Sequence, residues 1–223
     1  MTDKPNAHAT APNGGAAVPG VVLAGGLSSR MGADKAQVRL GGVPLLERAL
    51  RRLAPQVSSL AISSNDPSSP AFEAFQLPLL GDPDGVRAGP VGGVLAALRH
   101  AQDNHPSASH VVTVPTDSPF FPADLVARLR AAADRPDGIA YATSATGAHP
   151  VFALWPTALA DDLAGWMRSG ETLRLRAWLA RHHATPVPFP ACETAEGPLD
   201  PFFNINTPAD LERAESWLRI LDR

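Results

Sequence analysis

Short apolar runs alternate along this chain with segments of helical periodicity, and few architectures accept that pattern. GVVLAG (20 to 25), LAIS (60 to 63), LPLL (77 to 80), HVVTVP (110 to 115), GIAYAT (138 to 143) and HPVFALW (149 to 155) have strand length. Between several of them lie PLLERALRRL (44 to 53), VGGVLAALRHA and PADLVARLRAAA, whose apolar residues recur at three- and four-residue spacing. In the first, Leu45, Leu46, Ala49, Leu50 and Leu53 share one face. A strand followed by a covering helix, repeated, predicts an α/β fold: a mostly parallel, twisted sheet flanked by helices. At 223 residues with 44% hydrophobic side chains, one domain with one substantial core suffices.

The ends of the chain read differently. Residues 1 to 18 are rich in Ala, Pro, Asn, Gly and Thr without apolar periodicity, so a disordered tail is expected before a single domain over 19 to 223. At the other end Thr207 is expected to cap a helix, with Pro208 in its first turn and Asp210 near its positive pole. Trp155, Trp166, Trp178 and Trp217 fall in apolar periodic segments and are expected in the core.

Composition narrows the function. A formal net charge of −3 lacks the basic footprint of a nucleic-acid binder. Cys192 is the only cysteine, which excludes an internal disulfide and a multi-thiolate metal site. No apolar run reaches the ~20 residues of a membrane span, and the start is not that of a signal peptide, so the expected location is cytoplasmic. His149, His182 and His183 have no metal-ligand spacing, and the last two are expected to end a helix, where an imidazole complements the dipole.

The stretch from Leu23 to Lys35, LAGGLSSRMGADK, carries the chemistry. It leaves a buried strand directly, at the sheet edge where ligands bind in such folds, and Gly25 and Gly26 let backbone N–H groups approach phosphate oxygens. It is neither GxGxxG nor a P-loop. Arg30 can fork onto phosphate oxygens, and Lys35 adds a compact point charge. Only Lys4 and Lys35 among the 19 basic side chains are lysines, so outside the tail the chain otherwise uses arginine. Asp82 after LPLLG and Asp117 in VVTVPTDSP follow predicted strands, where a carboxylate and phosphate oxygens together hold magnesium; each is also a natural turn residue.

LAGGLSSRMGADK, VPTDSPFFPADLVARL, HPVFALW and FFNINTPADLERAE, in this order, resemble the molybdenum cofactor guanylyltransferases, the MobA family, over roughly residues 20 to 220. The resemblance implies a Rossmann-like nucleotidyltransferase fold, GTP and Mg2+ as requirements, and molybdenum-bearing molybdopterin as acceptor. It implies GTP contacts at Leu23, Ala24, Gly25, Gly26, Arg30 and Lys35, further nucleotide contacts at Asn65, Asp82 and Gly89, and a magnesium ligand at Asp117. Asn204 and Asn206 match positions linked to the pterin, with turn formation and a helix cap as the alternative. Molybdenum-insertion proteins and molybdoenzyme chaperones are the implied partners, with no nucleic acid and no membrane. Two alternatives stand: a cytidylyltransferase acting on the same cofactor, whose loop reads LAAG, and a GTP-binding regulatory module without turnover.

Overall fold

A computed structural model describes residues 17–25, 38–66, 70–83, 88–133, 135, 137–170 and 173–221. Seven strands form the main sheet: β1 (Pro19–Leu23), β4 (Ser59–Ser63), β5 (Leu79–Leu80), β6 (His110–Pro115), β7 (Ala140–Ser144), β8 (Gly147–Pro156) and β9 (Thr185–Pro188). Their order is β5-β4-β1-β6-β8-β7-β9. β1 pairs in parallel with both β4 and β6, and β4 with β5, as the strand–helix alternation requires. β8 alone runs against its neighbours, antiparallel to β6 and β7, and β7 pairs in parallel with β9. The sheet is mostly parallel, with one reversed strand inserted.

The helices are α1 (Leu45–Leu53), α2 (Pro90–Asn104), α3 (Leu125–Ala132), α4 (Ala160–Arg168), α5 (Leu175–Arg181) and α6 (Pro208–Leu221). All five apolar residues assigned to one face of α1 are buried. Successive residues of a strand face opposite sides, so Val22 packs with α1 and α3, while Val21 and Leu23 pack with α2. Each fully buried Val, Leu or Phe contributes about 1.5 to 3 kcal/mol, and both faces of the sheet carry such a layer. All four tryptophans are in these layers or beneath α6, as expected.

A small antiparallel pair, β2 (Arg39–Leu40) and β3 (Val43–Pro44), supports α6, whose Trp217 and Leu218 cluster with Leu40 and Leu45. The start of α6 is reciprocally capped. Thr207 Oγ1 accepts from the Asp210 backbone N–H at 3.2 Å, and Asp210 Oδ2 accepts from the Thr207 N–H at 2.8 Å.

Three expectations need adjustment. LPLL yields only a two-residue strand, because Pro78 offers its carbonyl to Ile62 but has no N–H to extend the ladder. Val18, assigned to the tail, is buried and its carbonyl accepts from the Ser58 N–H at 2.9 Å, so it belongs to the domain. Residues 1–16, the rest of the expected tail, lie outside the described residues. His182 does close α5, but a contact beyond the dipole holds it: Nε2 lies 2.8 Å from Asp162 Oδ2. No helix among the described residues is long and apolar enough to cross a membrane.

Candidate functional site

The chain leaves β1, builds β4 and β5 on one side, then crosses back to place β6 on the other. The carboxyl ends of β1 and β6 therefore diverge at the switch point of the sheet, where this class of fold binds ligands. Thr116 ties the two ends together: its backbone N–H and its hydroxyl both donate to the Leu23 carbonyl, at 3.1 and 3.0 Å. Ala24 is fixed on the other side by its N–H bond to the Ser63 carbonyl, at 2.7 Å.

A pocket of about 310 Å3 opens there, and Leu23, Ala24, Gly25, Asp117 and Asn204 line it together. The sequence singled out all five. Asp117 follows the buried strand β6 and is half-buried; its carbonyl accepts from the Ile205 N–H at 2.8 Å, which brings the NINTPAD segment to the pocket. The Ser118 hydroxyl bonds the Asn204 side chain, so Asn204 is held at the rim. Asn206 is not among the lining residues; its N–H donates to Asp210 at 3.0 Å in the cap of α6. Gly26, Arg30 and Lys35 lie outside the described residues.

Asn65 and Asp82 form a second group beside Gly25. A carboxylate can only accept, which orients the Asn65 amide with its nitrogen toward Asp82. A Cβ on Gly25 would sit 3.4 Å from that amide, so the pair borders the glycine loop directly. Burial pushes the Asp82 carboxyl above its ordinary range, while a bond from the Ala88 backbone N–H works the other way. Gly92 makes room for it, since a Cβ there would lie 2.8 Å from the carboxylate. Gly89 begins α2 at a φ of +61°, a left-handed conformation that glycine adopts without strain.

The residues suit magnesium only as a shared site. Among the described residues no group of three or more His, Cys, Asp or Glu side chains could hold a metal ion alone. One half-buried carboxylate at a strand end, facing a pocket large enough for phosphates, matches an ion completed by substrate oxygens and water.

His149 also lines this pocket, together with Ala148, Pro150, Val151 and Phe152. Nothing local to HPVFALW places it there, because that run reads as a strand in either direction. Only the reversal of β8 brings the start of that strand, rather than its end, to the ligand edge. Burial lowers the His149 imidazole below its ordinary value, with Asp200 opposing that shift. Cys192 is exposed and outside the pocket.

Known proteins match both sequence and architecture. Residues 20–185 match the MobA-like NTP transferase domain. The chain is 51% identical over 222 residues to a molybdenum cofactor guanylyltransferase of Rhizobium meliloti strain 1021, covering 100% of this chain and 98% of that protein. The protein of the same name from Sinorhizobium fredii is 52% identical over 204 residues, covering 92% of this chain and 93% of the relative. Among solved structures, molybdopterin-guanine dinucleotide biosynthesis protein A from Archaeoglobus fulgidus superposes with a TM-score of 0.67 at 23% identity, covering 91% of this chain and 99% of that one.

Proposed function

The chain belongs to the MobA-like NTP transferase family, and we propose that it is a molybdenum cofactor guanylyltransferase that transfers GMP from GTP to molybdenum-bearing molybdopterin, releasing pyrophosphate. The observation that carries this reading is one pocket, at the switch point, shared by the end of β1, Asp117 and Asn204. It is the meeting place of a phosphate loop, a metal-binding acid and a second rim where an acceptor can enter.

A phosphate monoester is already a competent nucleophile, so the protein aligns it with the α-phosphorus of GTP and stabilises charge on the departing pyrophosphate. Backbone N–H groups of the glycine loop beyond Ala24, with Arg30 and Lys35, supply positive potential toward the triphosphate. Asp117 would hold magnesium, which when bound neutralises phosphate charge. Asn204 orients the acceptor side, and Asn206 supports it through the cap of α6.

Asp82 supports guanine over cytosine. The Watson–Crick edge of guanine presents two adjacent donors, N1–H and the 2-amino group, and a carboxylate can accept both. Cytosine presents a single amino donor beside an acceptor. Asn65 holds the acid in place, and Gly92 keeps space beside it. The same reading assigns a cytoplasmic location, with molybdenum-insertion proteins and molybdoenzyme chaperones as partners and neither nucleic acid nor membrane.

Pyrophosphate release from GTP, CTP or ATP in the presence of molybdopterin and magnesium tests the proposal. Turnover is expected with GTP. Preferential use of CTP would assign the cytidylyl reaction, and GTP binding without release would assign a regulatory module. In the same assay Lys35→Ala is expected to lower kcat/KM by about 2 to 4 kcal/mol of transition-state stabilisation.

A further inference from the structure

Opposite the Asp117 edge of the pocket, four side chains form a connected polar group that the transfer chemistry above does not use. His149 Nε2 lies 2.8 Å from the Ser144 hydroxyl, and that hydroxyl lies 2.6 Å from Asp200 Oδ2. The Thr146 hydroxyl reaches the same oxygen at 2.6 Å, and Asp200 Oδ1 accepts from the Phe202 N–H at 2.8 Å. The imidazole is steadied by the Phe202 ring, 4.6 Å away between centroids.

Proton counting fixes the imidazole tautomer. Burial would raise the Asp200 carboxyl, but the bonds from Ser144, Thr146 and the Phe202 N–H, with the charge of His149, hold it below its ordinary range. It is thus an ionised acceptor at neutral pH. Ser144 and Thr146 each have one hydroxyl proton, and the short charge-assisted bonds to Asp200 take both. Ser144 Oγ then has only lone pairs left for His149, so Nε2 must be the protonated nitrogen. In the neutral ring, Nδ1 carries a lone pair.

That nitrogen has no hydrogen-bond partner among the described residues. Nor is any buried side-chain nitrogen or oxygen there left unpaired, so Nδ1 keeps access to solvent, and the residue faces the pocket. The other titratable groups around it are Asp200, behind the relay, and Asp117, which lines the same pocket.

We propose that His149 is the catalytic base of the acceptor half-site: its Nδ1 takes the proton from the phosphate monoester of the acceptor, and Ser144, Thr146 and Asp200 are positioning residues that keep Nδ1 bare. This role rests on the guanylyl-transfer reading. The O–H bond of the monoester breaks as Nδ1–H forms. The freed oxygen bonds to the α-phosphorus of GTP, the bond from that phosphorus to the bridging oxygen breaks, and pyrophosphate leaves with the electron pair. The proton on Nδ1 then passes to water. Since the second pKa of a phosphate monoester is about 6, the base matters most in mildly acidic solution.

The test is kcat/KM for pyrophosphate release between pH 5 and 8, with GTP and molybdopterin, for wild type and His149→Gln. Glutamine can keep a donor toward Ser144 but cannot accept a proton. With a second pKa of about 6, the acceptor's dianion makes up about half of the population at pH 6 and about a tenth at pH 5. The expected loss is therefore about twofold at pH 6 and up to about tenfold at pH 5, vanishing by pH 8, where the acceptor arrives deprotonated. A loss equal at every pH, or none, overturns the base. Nitrogen-15 NMR of the imidazole in the wild type is the second measurement: neutral His149 is expected protonated on Nε2, shifting toward Nδ1 in Asp200→Asn, and an Nδ1–H form in wild type overturns the relay. A wild type that releases no pyrophosphate at any pH overturns the guanylyl-transfer reading and this role with it, whereas an active wild type matched by His149→Gln overturns this role alone.

Discussion

The Asn65 amide nitrogen donates to both carboxylate oxygens of Asp82, at 2.6 and 3.0 Å. Asparagine is thereby committed to holding the acid, and the carboxylate lone pairs that remain are available to a ligand. If those lone pairs read guanine, Asp82→Asn replaces an acceptor by a donor facing the N1–H and 2-amino groups. A hydrogen bond to a charged group is worth about 1.5 to 3 kcal/mol, so kcat/KM for GTP should fall about 10- to 100-fold while that for CTP changes little. Competition between the two nucleotides at equal concentration measures the ratio, and an unchanged ratio would remove Asp82 from base recognition.

Gly92→Ala separates two opposing effects. Alanine is favoured over glycine by about 1 kcal/mol in a helix interior, and by less at Gly92, which is the third residue of α2. Here the added carbon would stand 2.8 Å from the Asp82 carboxylate, and overpacking of that kind costs about 1 to 3 kcal/mol. Because Asn65 and Ala88 restrict where the acid can retreat, we expect a lower Tm and a raised KM for GTP. A more stable protein with an unchanged KM would mean that the acid yields freely.

Asp117→Asn keeps shape and removes the charge that would attract a cation. Loss of a metal contact is expected to raise the barrier by about 3 to 5 kcal/mol, two orders of magnitude or more in turnover. Folding should survive, since the domain uses the Asp117 backbone carbonyl in its bond to Ile205. Magnesium titrations of turnover in both proteins distinguish a ligand from a turn residue, and superimposable curves would end the metal assignment.

Asp162 offers a test of pH dependence away from the pocket. Burial acts to raise its carboxyl, but Trp178 Nε1–H at 3.1 Å, His182 at 2.8 Å and the nearby Arg181 outweigh that and hold it below its ordinary value. A depressed carboxyl contributes stability above its unfolded pKa, and that contribution is lost as pH falls through the folded one. Asp162→Asn should therefore cost about 1 kcal/mol at pH 7, and the difference from wild type should shrink near pH 3. Thermal unfolding at both pH values gives the answer; a constant difference would mean that charge plays no part.

How much of this could be read from sequence depends on how locally each feature is determined. β1, the glycine step after it, Asp117 at the end of β6 and the cap at Thr207 all follow from neighbouring residues, and each was legible. The pairing of Asn65 with Asp82 was not, because residues 17 apart in sequence meet only when β4 and β5 align in register, Ser63 beside Leu80. His149 was missed for a different reason. Hydrophobic periodicity has no direction, so an apolar strand conceals which of its ends reaches the ligand edge until the topology is known. The contact of His182 with Asp162 likewise joins two helices whose packing periodicity alone does not specify.

The reversal of β8 gives the pocket two independent walls. On the β1 and β6 side, residues reach the ligand as the chain leaves a strand and enters a longer connection. On the β8 side the chain arrives from β7 through a tight turn, with only Ala145 and Thr146 between Ser144 and Gly147. Ser144 and Thr146 in this turn both bond Asp200, so its length is tied to the group behind His149. On the reading that the β8 side receives the acceptor, Ala145, the turn residue outside the Ser144, Thr146 and Asp200 group, is the point of entry for altering which phosphate monoester is accepted, with the β1 and β6 wall left in place.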